Sequence, residues 1–259
     1  MRAPMPEAPR RTLLLIHGAW QGAWVWDSQS DALAAAGFAS VALDLPGNGA
    51  DGRAPGAVTF EDHVAHARAT VLAAPGPVGI VAHSGAGVLA TRLAEDHPDR
   101  IAQVVYVAGM MLPSGVDFSE FLGPFVASDP DAIGIGRHLL AAPGGSRVPE
   151  GAAMDIFYHD CPEDAARAAA RRLTVQGEDV RAPRVFHTLA RAGQVPRGYV
   201  RCGADRSVCP VVQDAMCAAR PGARVVRLAC GHAPMLAAPN ALSDALLTLL
   251  TAATERGSN

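Results

Sequence analysis

The sequence contains no lysine, since all 22 basic residues among its 259 are arginines. A chain without lysine cannot form a Schiff base with a substrate or hold pyridoxal phosphate on an amine. It also cannot supply the lysine of a phosphate-binding loop. These three kinds of chemistry are therefore excluded.

Cysteine is scarce and scattered, with five residues at positions 161, 202, 209, 217 and 230. The number is odd and no C-x-x-C pair occurs, so the pattern indicates neither a disulfide framework nor a zinc knuckle. We expect all five to be buried free thiols.

Excess charge and long apolar runs are also lacking. The formal net charge is −3, which gives no electrostatic reason to bind nucleic acid or an anionic membrane. Behind the basic, Pro-rich residues 1–11, the apolar run LLLI is too short for a signal peptide or a membrane span. We therefore expect a cytoplasmic protein that acts on a small molecule.

Short apolar strands alternate with amphipathic helices along most of the chain, and 49% of the residues are hydrophobic. This alternation predicts an α/β fold with a six-stranded, mostly parallel sheet and helices on both faces. The predicted strands are Arg11–Ile16, Phe38–Leu43, Val78–Ala82, Ile101–Val107, Arg197–Cys202 and Arg224–Leu228.

Two helices carry clear end signals. A helix is predicted over Trp24–Gly37, with Gly37 as its C-terminal stop. A second helix is predicted to begin after Thr59, an N-cap residue with Asp62 at the third helical position, and to run to about Ala73.

The alternation stops over residues 110–196, where DFSEFLGPF and CPEDAARAAARRL look helical and PGGSRVPEG looks like a loop. Material inserted at the carboxyl end of a parallel strand lies over the ligand crevice. We therefore expect residues 1–259 to form a single domain in which 110–196 is a helical lid inserted after the fourth strand.

The stretch PVGIVAHSGAG contains the strongest functional signal. A buried strand runs into His83-Ser84 and then into a helix, which is the strand–turn–helix geometry that exposes a nucleophilic serine. Ala82 and Ala86 stand where the motif usually has glycine, and alanine is the next-smallest residue. Ser84 is therefore the candidate nucleophile.

A serine nucleophile needs a histidine base and an acid that orients it, and on this fold the chain order is Ser, acid, His. Asp205 lies in a short turn after the fifth strand, whereas Asp214 and Asp179 fit less well. His232 follows the sixth strand. The other histidines after Ser84 are less well placed, and they are His97, His138, His159 and His187.

Acyl transfer also requires donors for the developing oxyanion, typically two backbone amides. One would come from Gly85, and the second from Ala19 in the HGAW loop after the first strand. We expect His17, inside this turn, to have a structural hydrogen-bonding role. The turn at Ser84 is expected to point the His83 side chain away from Ser84.

The segments LLLIHGAWQGAWVW, AAAGFASVALDLPG, VAHSGAG, YVAGMMLP and GHAPMLAAP resemble the α/β-hydrolase superfamily. They are similar in particular to the branch with plant methyl esterases, plant hydroxynitrile lyases and bacterial relatives. The segment FYHDCPEDAARAAARRL also resembles the lid of the bacterial relatives. The resemblance implies Ser84, Asp205 and His232 as the catalytic triad. It also implies Ala19 and Gly85 as oxyanion donors, no metal and no organic cofactor.

The lyases of this branch have a lysine directly after the catalytic histidine, where this chain has Ala233. The resemblance therefore favours a serine hydrolase that cleaves a small, largely apolar ester, lactone or thioester through an acyl-enzyme on Ser84. Two alternatives remain. One is a non-hydrolytic member of the fold, such as a hydroxynitrile lyase, cyclase or cofactor-free oxygenase, and the other is a non-catalytic ligand-binding protein.

Several aromatic residues of the predicted lid favour an apolar pocket, although packing of these residues on one another explains them equally well. They are Phe118, Phe121, Phe125, Phe157 and Tyr158. The identity of the substrate and the choice between a monomer and a homodimer stay open.

Overall fold

The computed structural model describes residues 11–48, 51–181 and 183–251. The basic, Pro-rich residues 1–10 lie outside this description. Within the described part, the strands are β1 Thr12–Ile16, β2 Ala39–Leu43, β3 Val78–His83, β4 Ile101–Val107, β5 Leu140–Ala142, β6 Gly145–Arg147, β7 Gln176–Gly177, β8 Arg197–Cys202 and β9 Arg224–Leu228.

Helices flank the strands, together with short 3-10 turns. The α-helices of the described residues are α1 Asp27–Ala35, α2 Phe60–Ala73, α3 Ala86–Asp96, α4 Phe118–Ser128, α5 Glu150–Ala152, α6 Glu163–Arg171, α7 Pro210–Ala219, α8 Pro234–Ala237 and α9 Pro239–Thr251. A π-helical turn over Ala153–Phe157 continues α5.

The central sheet has the strand order β2-β1-β3-β4-β8-β9, and every neighbouring pair is parallel. This confirms the predicted six-stranded α/β fold. The inner strand β3 is buried along its whole length, whereas most residues of the edge strands β2 and β9 are partly or largely exposed. A sheet covered on both faces requires such continuous apolar inner strands.

Alternate residues of each strand enter two separate cores, because successive side chains of a strand point to opposite faces. On one face Leu14 and Ile80 belong to the core formed with α2 and α3. On the other face Leu13 and Val81 belong to the core that contains Leu246 of α9 and residues of α1. The two cores hold the sheet rigidly between helical layers.

The carboxyl ends of parallel strands meet at one edge of the sheet. The loops that follow β1, β3, β8 and β9 therefore converge there. These loops contain Ala19, Ser84, Asp205 and His232, the residues selected from the sequence.

The segment between β4 and β8 is not entirely helical, which corrects the predicted helical lid. Strands β5 and β6 form a hairpin across Pro143-Gly144, with Gly144 at φ +79°, and β6 also pairs with β7. The PGGSRVPEG stretch therefore forms a turn and a strand rather than a loop. Strands of two or three residues, such as LAA and GSR, are too short to show an alternating pattern.

The helix-end signals were largely correct. Thr59 and Asp62 form a reciprocal capping box at the start of α2. Gly37, at φ +83°, ends α1 in a Schellman turn, in which the Phe38 N–H donates to the Leu33 carbonyl. The predicted helix over 24–37 begins later than expected, because Ala23–Trp26 forms a 3-10 turn before α1.

Gly87 in the first turn of α3 allows that helix to approach the loop after β4. A Cβ atom on Gly87 would lie 2.7 Å from the backbone nitrogen and 2.8 Å from the carbonyl oxygen of Met110. Since backbone atoms cannot move aside cheaply, the clash outweighs the gain in helix propensity that alanine normally brings.

We expect Gly87→Ala to lower the free energy of unfolding by about 2 kcal/mol. Gly151→Ala in α5 is the matched control, because beyond its chain neighbours and the adjacent helix backbone no atom lies within 4 Å of its added Cβ. Denaturant unfolding followed by circular dichroism measures both variants. Equal stability of the two would contradict the close packing of α3 on the Met110 loop.

Candidate active site

Ser84 occupies the apex of the turn between β3 and α3, and its φ of +52° lies in the left-handed region. For a residue with a side chain this conformation costs about 1 to 2 kcal/mol. The backbone on both sides holds it, because the Ser84 N–H donates to the Val107 carbonyl and the Ser84 carbonyl accepts from the N–H groups of Gly87 and Met110.

Close packing around Ser84 explains the small residues nearby. A Cβ on Gly18 would lie 3.0 Å from the Ser84 Cβ and 2.8 Å from Nδ1 of His83. The loop after β1 therefore approaches the Ser84 turn within direct contact, which brings the two predicted sources of backbone N–H groups together.

A chain of hydrogen bonds joins Ser84, His232 and Asp205. His232 Nδ1 lies 2.8 Å from Asp205 Oδ2, and His232 Nε2 lies 3.1 Å from Ser84 Oγ. An ionised carboxylate only accepts, so Nδ1–H donates to Asp205 and the neutral ring presents Nε2 as an acceptor to the Ser84 hydroxyl. All three side chains are buried, with exposed fractions of 8% or less.

The Asp205 carboxylate is buried, and four donors surround it. Oδ1 accepts the backbone N–H groups of Ser207 at 2.7 Å and Val208 at 2.9 Å. Oδ2 accepts from His232 and from the Gln213 amide at 3.1 Å. Burying a carboxylate is costly unless its oxygens are hydrogen-bonded, and these donors meet that requirement.

Gln213 is fully buried, and sequence reasoning missed it. Its Oε1 accepts the Cys202 N–H at 3.0 Å, and its Nε2 reaches the carbonyls of Cys202 and Val208 as well as Asp205. The side chain thus fixes the Asp205 turn against the end of β8. The available signal was a polar residue on the inner face of α7, eight positions after Asp205.

The residues considered as alternatives lie elsewhere. Asp214 forms a surface ion pair with Arg201 at 2.8 Å, and Asp179 is exposed. His187 contacts the Leu112 carbonyl. Within the described ranges, no hydrogen bond joins Ser84 to any of the other histidines considered, which are His97, His138, His159 and His187.

In the loop after β1, the N–H groups on either side of Ala19 are already hydrogen-bonded within the protein. The neighbouring Gly18 N–H donates to Gln21 Oε1 at 3.2 Å, and the Trp20 N–H donates to Gln176 Oε1 at 2.9 Å. Among the described residues, the N–H groups of Ala19 and Gly85 have no hydrogen-bond partner, and both residues line the cavity at Ser84.

The segment between β4 and β8, called the insertion below, holds the loop after β1 in an unusual conformation. Trp20 has φ +62°, a left-handed value for a bulky side chain. Besides its bond to Gln176, its indole N–H donates to the Ser146 carbonyl at 3.1 Å and its own carbonyl accepts from the Thr174 N–H at 2.8 Å. Strands β6 and β7 therefore stabilise the turn that presents Ala19.

The insertion also contacts the loop after β9 that contains His232, called the histidine loop below. The Phe157 ring stacks on the His232 imidazole, with centroids 5.2 Å apart and planes inclined at 27°. Asp160 Oδ2 accepts the Gly231 N–H at 2.5 Å. These contacts restrain the His232 ring and the backbone before it, and they could not be predicted from the sequence.

His17 and His83 have supporting contacts. His17 Nδ1–H donates to the Gly18 carbonyl, and its Nε2 accepts the Leu45 N–H at 3.1 Å, the structural role expected from the sequence. The ring nitrogens of His83 lie 2.9 Å from Gln21 Oε1 and 2.8 Å from the His232 carbonyl, and neither bonds to Ser84.

Burial lowers the pKa of both rings. That of His17 falls to about 4, and that of His83 falls well below its ordinary value, with the neighbouring His232 as a second cause. Both rings are therefore neutral near pH 7. His17 connects the end of β1 to the loop after β2, and His83 connects β3 to the loop that contains His232, without adding charge.

A cavity of about 230 Å³ lies at Ser84 and is lined in part by residues between β4 and β5. Most of the side chains that line it are apolar, among them Phe118, Leu122, Ile133, Ile135, Leu139 and Val208.

The aromatic residues that favour an apolar pocket fall into two groups in the structure, those that line the cavity and those that pack elsewhere. Phe118 lines the cavity. Phe121 and Phe125 pack on each other, and Phe157 and Tyr158 are buried. Both readings of this set therefore apply, each to different residues.

No helix in the described part of the chain has the length and apolarity needed to cross a membrane. Over the same residues, no group of three or more His, Cys, Asp or Glu side chains is arranged to hold a metal ion.

Comparison with known proteins assigns the chain to a family. A model of the alpha/beta hydrolase family matches residues 13–245, so the chain belongs to that family. It is 30% identical over 262 residues to the rice (Oryza sativa subsp. japonica) esterase PIR7B, covering 93% of this chain and 96% of that protein.

Two bacterial proteins are also similar. The pyrethroid hydrolase of Sphingobium wenxiniae is 27% identical, with 94% of this chain and 89% of that protein covered. The crystal structure of a pyrethroid hydrolase from Sphingobium faniae JZ-2 superposes with a TM-score of 0.81 at 25% identity, covering 95% of this chain and 99% of that one.

The low pKa of His17 predicts acid sensitivity. In the unfolded chain His17 gains a proton as the pH falls below 6.5. In the folded chain its pKa is about 4, so it stays neutral until the pH approaches that value. The stabilisation is therefore complete above pH 6.5 and is lost as the pH falls toward 4. The difference in pKa corresponds to about 3 kcal/mol.

Urea unfolding at several pH values between 7.5 and 4 measures this effect. We expect the free energy of unfolding of the wild type to fall with pH, and His17→Gln to show a shallower slope. The same slope in both proteins would contradict the assignment of a neutral, buried His17.

Proposed function

We propose that this chain is a carboxylic ester hydrolase that forms an acyl-enzyme on Ser84. The observation that carries the proposal is the hydrogen-bond chain from Asp205 through His232 to Ser84 at a strained turn. A serine hydroxyl is a weak nucleophile, and a neutral imidazole within hydrogen-bond distance is the base that activates it.

In the proposed acylation, Ser84 Oγ attacks the ester carbonyl while His232 Nε2 takes the hydroxyl proton. The carbonyl oxygen becomes an oxyanion, which the backbone N–H groups of Ala19 and Gly85 stabilise. Collapse of this intermediate breaks the ester bond, and His232 gives its proton to the departing alcohol oxygen. The product of this half-reaction is an ester between the acyl group and Ser84.

Deacylation repeats these steps with water as the nucleophile. His232 takes a proton from water, the hydroxide adds to the acyl carbon, and the second oxyanion occupies the same two N–H groups. Return of the proton to Ser84 Oγ releases the carboxylic acid. Water is consumed once, and Ser84 is regenerated.

Asp205 has an electrostatic and positioning role in this scheme. Its carboxylate fixes the His232 tautomer that leaves Nε2 free to accept, and it stabilises the imidazolium that forms during attack. The donors from Ser207, Val208 and Gln213 hold the Asp205 carboxylate in the position from which it accepts the Nδ1 hydrogen bond. Gln213 acts through Asp205 and is a positioning residue.

The names of the relatives support ester cleavage as the reaction. The rice relative is an esterase, an Arabidopsis thaliana relative is named a methylesterase, and the Sphingobium relative is named a pyrethroid hydrolase. The small, mainly apolar cavity fits a small, largely apolar ester, lactone or thioester.

Residues 110–196 are proposed to be a lid that is part of a single domain. Phe118, Ile133 and Leu139 of this segment line the cavity opposite Ser84. A cover of this kind excludes bulk water, which strengthens the electrostatic interactions at the oxyanion.

The structure favours hydrolysis over cyanohydrin cleavage. Ala233, directly after His232, is fully buried in an apolar cluster with Trp20 and Phe157. Ala233 itself offers no cation beside His232 to a departing cyanide, and one charge pair near 4 Å is worth about 4 kcal/mol at an effective dielectric constant of 20. Hydrolysis has no such need, since its charge develops at Ala19 and Gly85.

Ser84→Ala tests the proposal. We expect kcat for p-nitrophenyl acetate to fall about 10⁴-fold, because members of the triad act as a unit. Ser128→Ala, at the exposed end of α4, is the control with an equivalent loss of a hydroxyl group. Retention of more than a tenth of the wild-type activity by a folded Ser84→Ala protein would refute the mechanism.

A further inference from the structure

One cationic side chain lies at the cavity beside Ser84. Arg181 lines it together with Ser84, Ala19 and Gly85, and it is the one charged residue among the described residues that do so. Arg181 also lines a smaller adjoining cavity of about 30 Å³, again with Ala19 and Gly85. Arg181 therefore borders the space in which an ester group would meet the nucleophile.

Only some of the N–H donors of the Arg181 guanidinium have a partner. Its Nε and Nη2 lie 3.1 and 3.0 Å from one carboxylate oxygen of Glu178, three residues earlier. Nη1 has no partner in the described ranges. The Arg181 side chain is 39% exposed and that of Glu178 is 55% exposed, so solvent weakens this ion pair and a competing anion can share the guanidinium.

We propose that Arg181 binds a carboxylate group of the substrate, so that the preferred esters are half-esters, meaning monoesters of dicarboxylic acids. This proposal rests on the proposed ester hydrolysis and specifies its substrate class. The apolar cavity would hold the hydrocarbon part between the two acid groups. Arginine suits the task because its planar donors match the two oxygens of a carboxylate.

A change at Glu178 tests the same proposal with the opposite expected effect. As the anion paired with Arg181, it competes with a substrate carboxylate and also repels it. Removing Arg181 should weaken recognition of a half-ester, whereas removing the charge of Glu178 should strengthen it. A purely structural role of the pair, in which each residue holds the other, predicts that both changes act in the same direction.

The test compares the monomethyl esters of succinic, glutaric and adipic acids with the corresponding dimethyl esters at pH 8. The measured quantity is the ratio of kcat/KM for each half-ester to that for its diester. For the chain length that fits, we expect Arg181→Gln to lower this ratio about tenfold and Glu178→Gln to raise it about threefold. Arg171→Gln is the control, because Arg171 is an exposed, ion-paired arginine of α6 outside the cavity lining.

A binding measurement separates this proposal from the proposed function. Calorimetric titration of Ser84→Ala with the half-esters should give a dissociation constant that rises about tenfold when Arg181→Gln is added. If the wild type hydrolysed none of these esters, the hydrolase proposal would be refuted. The titration would still decide whether Arg181 binds the carboxylate.

An unchanged ratio in Arg181→Gln, together with unchanged binding, would overturn the assignment. A fall of the ratio in both Arg181→Gln and Glu178→Gln would also overturn it, since that result is expected of a pair that only maintains the loop. If Arg181→Gln failed to fold, the rise expected for Glu178→Gln would still decide between the two readings.

Discussion

The hydrogen bond between the Asp205 carboxylate and the His232 ring is the interaction on which the rest of the site depends. Both side chains are almost completely buried, so the carboxylate needs protein donors in place of water. The turn after β8 supplies two N–H groups and Gln213 of α7 supplies an amide, which leaves Oδ2 correctly placed for the imidazole. The parallel sheet brings these elements to the edge at which Ser84 lies.

The insertion contributes to the same site from the other side. Gln176 and the Ser146 carbonyl hold Trp20 in its left-handed conformation, and Asp160 and Phe157 restrain the histidine loop. The positive φ values of Ser84 and Trp20 are sparsely populated, and such strain persists only where surrounding contacts determine it. Residues of the 110–196 segment thus help to position the candidate catalytic groups, and others of that segment line the cavity.

Sequence reasoning found the sheet and the Ser84, Asp205 and His232 cluster because both depend on local signals. An apolar strand can be recognised from consecutive residues, and each candidate side chain follows its own strand. The contacts of Gln213, Gln176 and Asp160 depend on how distant segments meet; Gln176, for example, bonds to a residue 156 positions earlier. The β5–β6 hairpin escaped prediction because its strands are too short for a periodic pattern.

Covalent labelling of Ser84 is the most direct test of the central claim, which is that the buried Asp205–His232 pair makes this serine nucleophilic. The protein is treated with the organophosphate diethyl p-nitrophenyl phosphate, and intact-mass and peptide mass spectrometry locate the adduct. We expect one adduct per chain, on Ser84, and a much slower reaction in His232→Ala. An absence of labelling, an adduct on another residue, or the same labelling rate without His232 would contradict it.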